Sequence, residues 1–122
     1  MQISEAEAMV MEVLWRRNPM GADEVVAALS GQTNWAEPTV KTLLNRLLNK
    51  GAIQASKEGR RYLYSPVLAR ASWIGQQSEG MLERLFGGRV APLVAHFSQQ
   101  GKLSAADIAE LKRLVGELDD GQ

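Results

Sequence analysis

Apolar residues return at intervals of three and four from Ala6 onward: Ala6, Met9, Val10, Val13 and Leu14. That spacing places them on one face of an α-helix. Just ahead, Ser4 and Glu7 form a capping-box pair, in which a serine oxygen and a glutamate side chain satisfy first-turn amides that have no helical partner. Asn18-Pro19 ends this helix. A second helix is predicted from Ala22 to Ser30, with Ala22, Val25, Val26 and Leu29 on one face and Gly31 as its stop. The third opens at Glu37-Pro38, where a missing amide hydrogen costs nothing and an acid meets the positive end of the helix dipole. Val40, Leu43, Leu44, Leu47 and Leu48 then form its stripe, and Gly51 terminates it.

After Gly51 the period changes to two. "AIQASKEGRRYLYSP" alternates, with Ile53, Ala55 and Leu63 predicted to face inward and Gln54, Tyr62 and Tyr64 outward. A turn centred on Gly59 makes this a β-hairpin, closed by Pro66. The remainder is helical: a long segment from about Val67 to Phe86 stopped by Gly87-Gly88, a short one from Val90 to Phe97, and a last one capped by Ser104 and Asp107. The last carries Ile108, Leu111, Val115 and Leu118 at alternating spacings of three and four, as in a coiled-coil seam.

The predicted fold is mainly α: a winged helix-turn-helix of three helices and a β-hairpin over residues 1–66, then a helical dimerisation arm over residues 67–122. A chain of 122 residues houses one or two small units. The arm holds Ile74, Met81, Leu82, Leu85, Phe86, Leu93, Val94 and Phe97, besides the last helix's seam. So much apolar surface on helices that form no bundle within one chain predicts a homodimer interface.

Lys plus Arg balances Asp plus Glu, 14 against 14, so only the distribution of charge is informative. Residues 37–66 carry Lys41, Arg46, Lys50, Lys57, Arg60 and Arg61 against Glu37 and Glu58, while both ends lean acidic. The outward arc of the third helix holds Thr39, Lys41, Thr42, Asn45, Arg46 and Asn49, with Lys50 at its end. These residue types reach base edges and phosphates: Arg and Lys meet guanine acceptors, Asn meets adenine, and a Thr methyl meets the thymine methyl. In a winged helix the third helix enters the major groove and the hairpin lies on the backbone or minor groove. Thr39, Lys41, Thr42, Asn45 and Arg46, with Arg60, Arg61 and Tyr62 on the wing, are therefore the candidate DNA-binding residues.

The stretches "ISEAEAMVMEVLW", "TVKTLLNRLLNKGAI", "EGRRYLYSP" and "LFGG" resemble the penicillinase-repressor (BlaI/MecI-type) family, from Ile3 to about Leu118. The resemblance implies a homodimeric winged-helix repressor bound to an inverted-repeat operator in double-stranded DNA. Thr39, Lys41, Thr42 and Arg46 match its recognition-helix positions, and Arg60 its wing arginine. It also implies a possible regulatory protease that cuts the arm at an Asn-Phe bond. Here His96-Phe97 stands in that region, and the cysteine pair of the copper-responsive branch has no counterpart, since the chain has no cysteine.

Other chemistry is sparse. His96 is the only histidine, so a zinc site of histidines and cysteines is excluded and the ring is expected to pack near a helix end. "LFGGRV" lacks the Gly-Lys-Ser/Thr ending of a phosphate loop, and no serine has a nucleophile motif. No enzyme activity and no cofactor are expected. Trp35 is expected to fill the space between the second and third helices, with a phosphate contact as the alternative, and Trp73 to pack between the two domains. The start "MQISEAEAMV" does not read as a secretory signal, and no apolar run approaches the ~20 residues that span a bilayer, so a cytoplasmic protein is expected. Two alternatives share the fold: a ligand-gated winged-helix regulator and a winged-helix adaptor that binds protein.

Overall fold

A computed structural model describes residues 1–121. Helices α1 (Glu5–Arg16), α2 (Ala22–Leu29) and α3 (Glu37–Lys50) precede a hairpin of β1 (Ile53–Glu58) and β2 (Arg61–Pro66), and α4 (Arg70–Phe86), α5 (Val90–Gln99) and α6 (Ala105–Asp120) follow. The Ser4–Glu7 capping box is present, as is its counterpart at Ser104 and Asp107. Gly51 ends α3 in the left-handed conformation at φ 77°, which a residue without Cβ adopts freely. Gly31 plays no such part: α2 ends at Leu29, whose carbonyl accepts from the Thr33 amide at 2.9 Å.

The chain divides into two compact units between Ile74 and Gly75. The sequence boundary near Pro66 falls earlier, because the start of α4 is tied to α1. The Trp15 indole N–H donates to the Leu68 carbonyl at 2.8 Å, Arg70 Nε donates to Glu12 Oε1 at 2.8 Å, and the Trp73 ring sits 5.5 Å from that of Trp15. Trp73 thus packs within the first unit.

In that unit α1, α2, α3 and the base of the hairpin enclose one core. Val10, Met11, Leu14, Val25, Leu29, Val40, Leu44 and Leu47 are wholly buried, each side chain contributing about 1.5–3 kcal/mol by leaving water. The buried face of α1 comprises Glu7, Val10, Met11, Val13 and Leu14, so Val10, Val13 and Leu14 of the predicted stripe point inward, while Ala6 and Met9 at its edge are half-buried. An acid at Glu7 hides this face from a hydrophobicity pattern. Trp35 is half-buried against the core, as its position between α2 and α3 suggests.

The hairpin faces the other way from expectation at β2. A two-residue Gly59-Arg60 loop, with Gly59 at φ 64°, sets the register Ile53↔Pro66, Ala55↔Tyr64 and Lys57↔Tyr62. Directly opposed residues share a face, so Tyr64, not Leu63, lies on the side of Ile53. Tyr64 is buried and Leu63 half-buried, while Ala55 is exposed. A bridge to the α1–α2 connection fixes this choice: Met20 N–H donates to the Tyr64 carbonyl at 3.1 Å, and Tyr64 N–H donates to the Met20 carbonyl at 2.8 Å.

In the second unit no described residue of its helices is buried. Leu85, Val115 and Leu118 are 66%, 57% and 69% exposed, and Met81, Leu82, Phe86, Leu93, Val94 and Leu111 are half-buried. Phe97 and Ile108, with Ile74 at the end of the first unit, are also exposed. His96 lies 5.3 Å from the Phe97 ring and 6.2 Å from Phe86, so it packs with aromatics near the end of α5. Among the described residues no helix is long and apolar enough to cross a membrane.

Candidate nucleic-acid interface

Burying Val40, Leu43, Leu44 and Leu47 on one side of α3 forces the opposite arc outward. Thr39, Lys41, Thr42, Asn45, Arg46 and Asn49 are all exposed. The wing closes in from its other strand, and Lys41, Glu37, Arg60, Arg61 and Tyr62 line one crevice of about 310 Å³ with the start of α2. The recognition-helix and wing candidates therefore converge there at Lys41, Arg60, Arg61 and Tyr62, while Thr39, Thr42, Asn45 and Arg46 continue along the exposed arc.

The basic residues of this region are not equivalent. Arg46 and Arg60 have no ion-pair partner among the described residues. Lys41 lies 3.4 Å from Glu37 one helical turn away, with both groups in solvent, a pairing worth a few tenths of a kcal/mol at most. The Lys57 ammonium stands 5.8 Å from the Tyr62 ring, its cross-strand neighbour. These four remain available to a polyanion.

Lys50 and Arg61 are committed elsewhere. Lys50 Nζ donates to Glu7 Oε1 at 2.5 Å and to the Gln2 carbonyl at 2.9 Å, so its charge belongs to the base of the fold. Glu7 is 1% exposed. Burial pushes its carboxyl upward, but hydrogen bonds from Lys50 and from the Ser4 amide and hydroxyl, with the Lys50 charge, together hold it below the usual carboxylate range. Arg61 donates to Asp23 Oδ1 at 3.2 Å and to Glu24 Oε1 at 2.5 Å. Glu24 also accepts from the Gly21 amide at 3.0 Å and from Arg17 at 3.0 Å. The Gly21 amide first, then Arg61 and Arg17, hold its carboxyl low against partial burial.

Thr42 has a divided role. Its hydroxyl donates back to the Pro38 carbonyl at 3.0 Å, so a partner meets the methyl and the oxygen lone pairs, not the proton. The Glu7–Lys50 pair and the Arg61 contacts escape sequence reasoning because their partners are 43 and 37–38 residues apart. One signal was readable: Glu7 shares the i, i+3, i+4, i+7 face of Val10, Met11 and Leu14, and an acid inside an apolar stripe calls for a cation.

Comparison with known proteins follows the same lines. The family model described as penicillinase repressor matches residues 3–117. A penicillinase repressor of Bacillus licheniformis is 35% identical over 95% of this chain and 91% of its own length. The solution structure of the monomeric form of Bacillus licheniformis BlaI in complex with the blaP half-operator aligns with a TM-score of 0.51 at 39% identity, covering 58% of this chain and 87% of that one. MepR, a transcription regulator of the Staphylococcus aureus multidrug efflux pump MepA, aligns with a TM-score of 0.56 at 17% identity over 99% of this chain and 82% of its own, a likeness of fold alone. With its recognition arc, its wing and a family match over nearly its whole length, the chain belongs to the penicillinase repressor family of winged-helix transcriptional repressors.

Proposed function

We propose that this repressor binds an inverted-repeat operator as a homodimer, each α3 lying in a major groove and each wing on the adjoining backbone. The observation that carries this reading is the exposed arc of α3 converging with the wing at Lys41, Arg60 and Tyr62, mounted on a buried apolar face that fixes its orientation. Thr39, Thr42, Asn45 and Arg46 read base edges or adjoining phosphates, and Arg60 and Tyr62 hold the backbone. The relative in complex with a half-operator supports one subunit per half-site.

Dimerisation falls to the arm, through Ile74, Leu82, Leu85, Phe86, Leu93, Val94 and Phe97 and the seam of Ile108, Leu111, Val115 and Leu118. The support is that no described residue on the helices beyond Ile74 is buried in the single chain, although their faces are amphipathic. The repressor acts in the cytoplasm. Derepression follows from proteolysis of the arm or from another signal that separates the subunits; His96 and Phe97 are both exposed. Selection of bound duplexes from a random pool, followed by sedimentation of the protein with and without the selected site, tests the proposal. A selected palindrome bound by two subunits is expected, and a pool without enrichment would overturn it.

One observation favours a second reading, gating by a ligand. A groove of about 450 Å³ between α1 and α2 is lined by Val13, Met20, Ala27 and Ala28 together with Arg16, Arg17 and Glu24. A thermal-shift screen of organic anions, repeated on Ala28→Trp to fill the groove, separates this from a repressor without effector.

A further inference from the structure

Resting on the DNA-binding reading, the geometry points to Arg61 as a positioning residue that docks the wing on α2, leaving Arg60 as the wing arginine that meets DNA. The two neighbours differ in every respect that matters to a phosphate. Arg60 sits in the tight loop, exposed and without an ion-pair partner among the described residues. The Arg61 guanidinium is held by two carboxylates of the first turn of α2, Asp23 at 3.2 Å and Glu24 at 2.5 Å. Arg17 joins Glu24 from α1's end, so two cations face two carboxylates and the cluster has no charge to offer.

The seat is shaped for this side chain. A Cβ built on Gly21 would lie 2.5 Å from an Arg61 terminal nitrogen and 2.8 Å from its Nε. Glycine at this position therefore leaves room for the guanidinium. Its backbone, at φ −81°, is one that alanine adopts without strain. Glu24 holds the Gly21 amide as well as both arginines, so the carboxylate that caps α2 also fixes the wing. The clasp also cancels two negative charges beside the crevice where a phosphate would come. A wing fixed in this way loses less conformational freedom when it meets the backbone, which is how a residue that touches no DNA raises affinity.

Four full-length variants test the assignment: Arg60→Ala, Arg61→Ala, Glu24→Gln and Gly21→Ala. Gln retains the cap acceptor, and Gly21→Ala is expected to displace only side-chain ends, those of Arg61 and Asp23, so both are expected to fold. The readout is the slope of log affinity against log salt on a random duplex, with the ratio of operator to random-duplex affinity. Arg60→Ala is expected to make the slope shallower by about 0.9 per subunit. Arg61→Ala is expected to weaken binding severalfold with the slope unchanged. Glu24→Gln and Gly21→Ala release Arg61 to phosphate, so the slope steepens by up to about 0.9 per subunit and the operator preference narrows. An Arg61→Ala slope as shallow as that of Arg60→Ala, or unchanged slopes in both release variants, would overturn the assignment. Failure of the wild type to bind any duplex would sink the DNA-binding reading, and the clasp is then judged on the free protein. Exchange-protected Arg61 guanidinium signals in NMR that vanish in Glu24→Gln support it, and unprotected signals in the wild type refute it.

Discussion

Lys50 Nζ lies 2.5 Å from Glu7 Oε1, closing the C-terminal end of α3 onto the first turn of α1. The cation is partly in solvent and the carboxylate is not: their side chains are 36% and 1% exposed. Removing the lysine therefore strands a buried charge, whereas neutralising the acid frees a lysine that reaches water. Lys50→Ala is expected to cost about 3 kcal/mol in urea unfolding at pH 7. Glu7→Gln, which keeps the cap, should cost about 1 kcal/mol. Equal losses in the two variants would show that the pair contributes no asymmetry.

Acid sensitivity follows from the two carboxyls held low in the fold, Glu7 and Glu24. A lowered folded pKa means that the unfolded chain binds protons first. The stabilisation is complete above the unfolded value, about 4.3 for a glutamate, and is lost as pH falls through the folded values below it. Thermal unfolding should be flat from pH 7 to about 5 and fall steeply below about 4, with a smaller fall in Glu7→Gln. Calorimetry across that range checks it, and a midpoint that declines from pH 6 would assign the loss to other groups.

Charge available for DNA is smaller than charge present. Residues 37–66 carry six basic side chains, of which Lys50 and Arg61 are committed within the fold and Lys41, Arg46, Lys57 and Arg60 remain. Four per subunit give about eight in a dimer and a salt slope near −7. A slope shallower than about −2 would count against DNA as the principal partner, and one near −11 would put Lys50 and Arg61 on phosphate too.

Thr42→Ala is expected to cost ~1–3 kcal/mol on the operator and little on random DNA, because a base contact is lost. Arg60→Ala should weaken both similarly. Since the Thr42 hydroxyl proton is held by the Pro38 carbonyl, Thr42→Val should keep most of the discrimination and Thr42→Ser should not. The reverse order would assign recognition to the hydroxyl.

A fragment ending at Ile74 is expected to be a folded monomer, because it retains Trp73 on Trp15 and Arg70 on Glu12. Full-length protein is expected to sediment as a dimer. Without the arm, the second half-site loses the effective concentration set by the first, and operator affinity should fall ~10²–10⁴-fold with every DNA contact intact. A monomeric full-length protein, or a fragment that binds as tightly as the whole, refutes the assembly.

The helices were readable because their apolar stripes, caps and stops are local. Val40 to Leu47 repeat every three or four residues whatever the rest of the chain does. What the sequence hid is settled by partners far along it. Alternation placed Leu63 inward, but the parity of β2 depends on the two-residue loop at Gly59-Arg60 and on a bridge to Met20, and neither is a property of the strand itself. The candidate arc on α3 was legible for the same local reason as its buried face. The availability of each cation was not: Arg60 and Arg61 are adjacent and alike until Asp23 and Glu24 are brought beside one of them.

That no described residue of the arm's helices is buried bears on regulation by dose. If those helices find their interior only in a second copy, the amount of active repressor rises with the square of the amount of chain while most chains are single. Halving synthesis would then remove about three quarters of the dimers, and operator occupancy would drop more steeply than protein level. An operator controlled this way opens at a threshold of protein level, and even a slow decline in repressor would give a comparatively sharp onset of transcription.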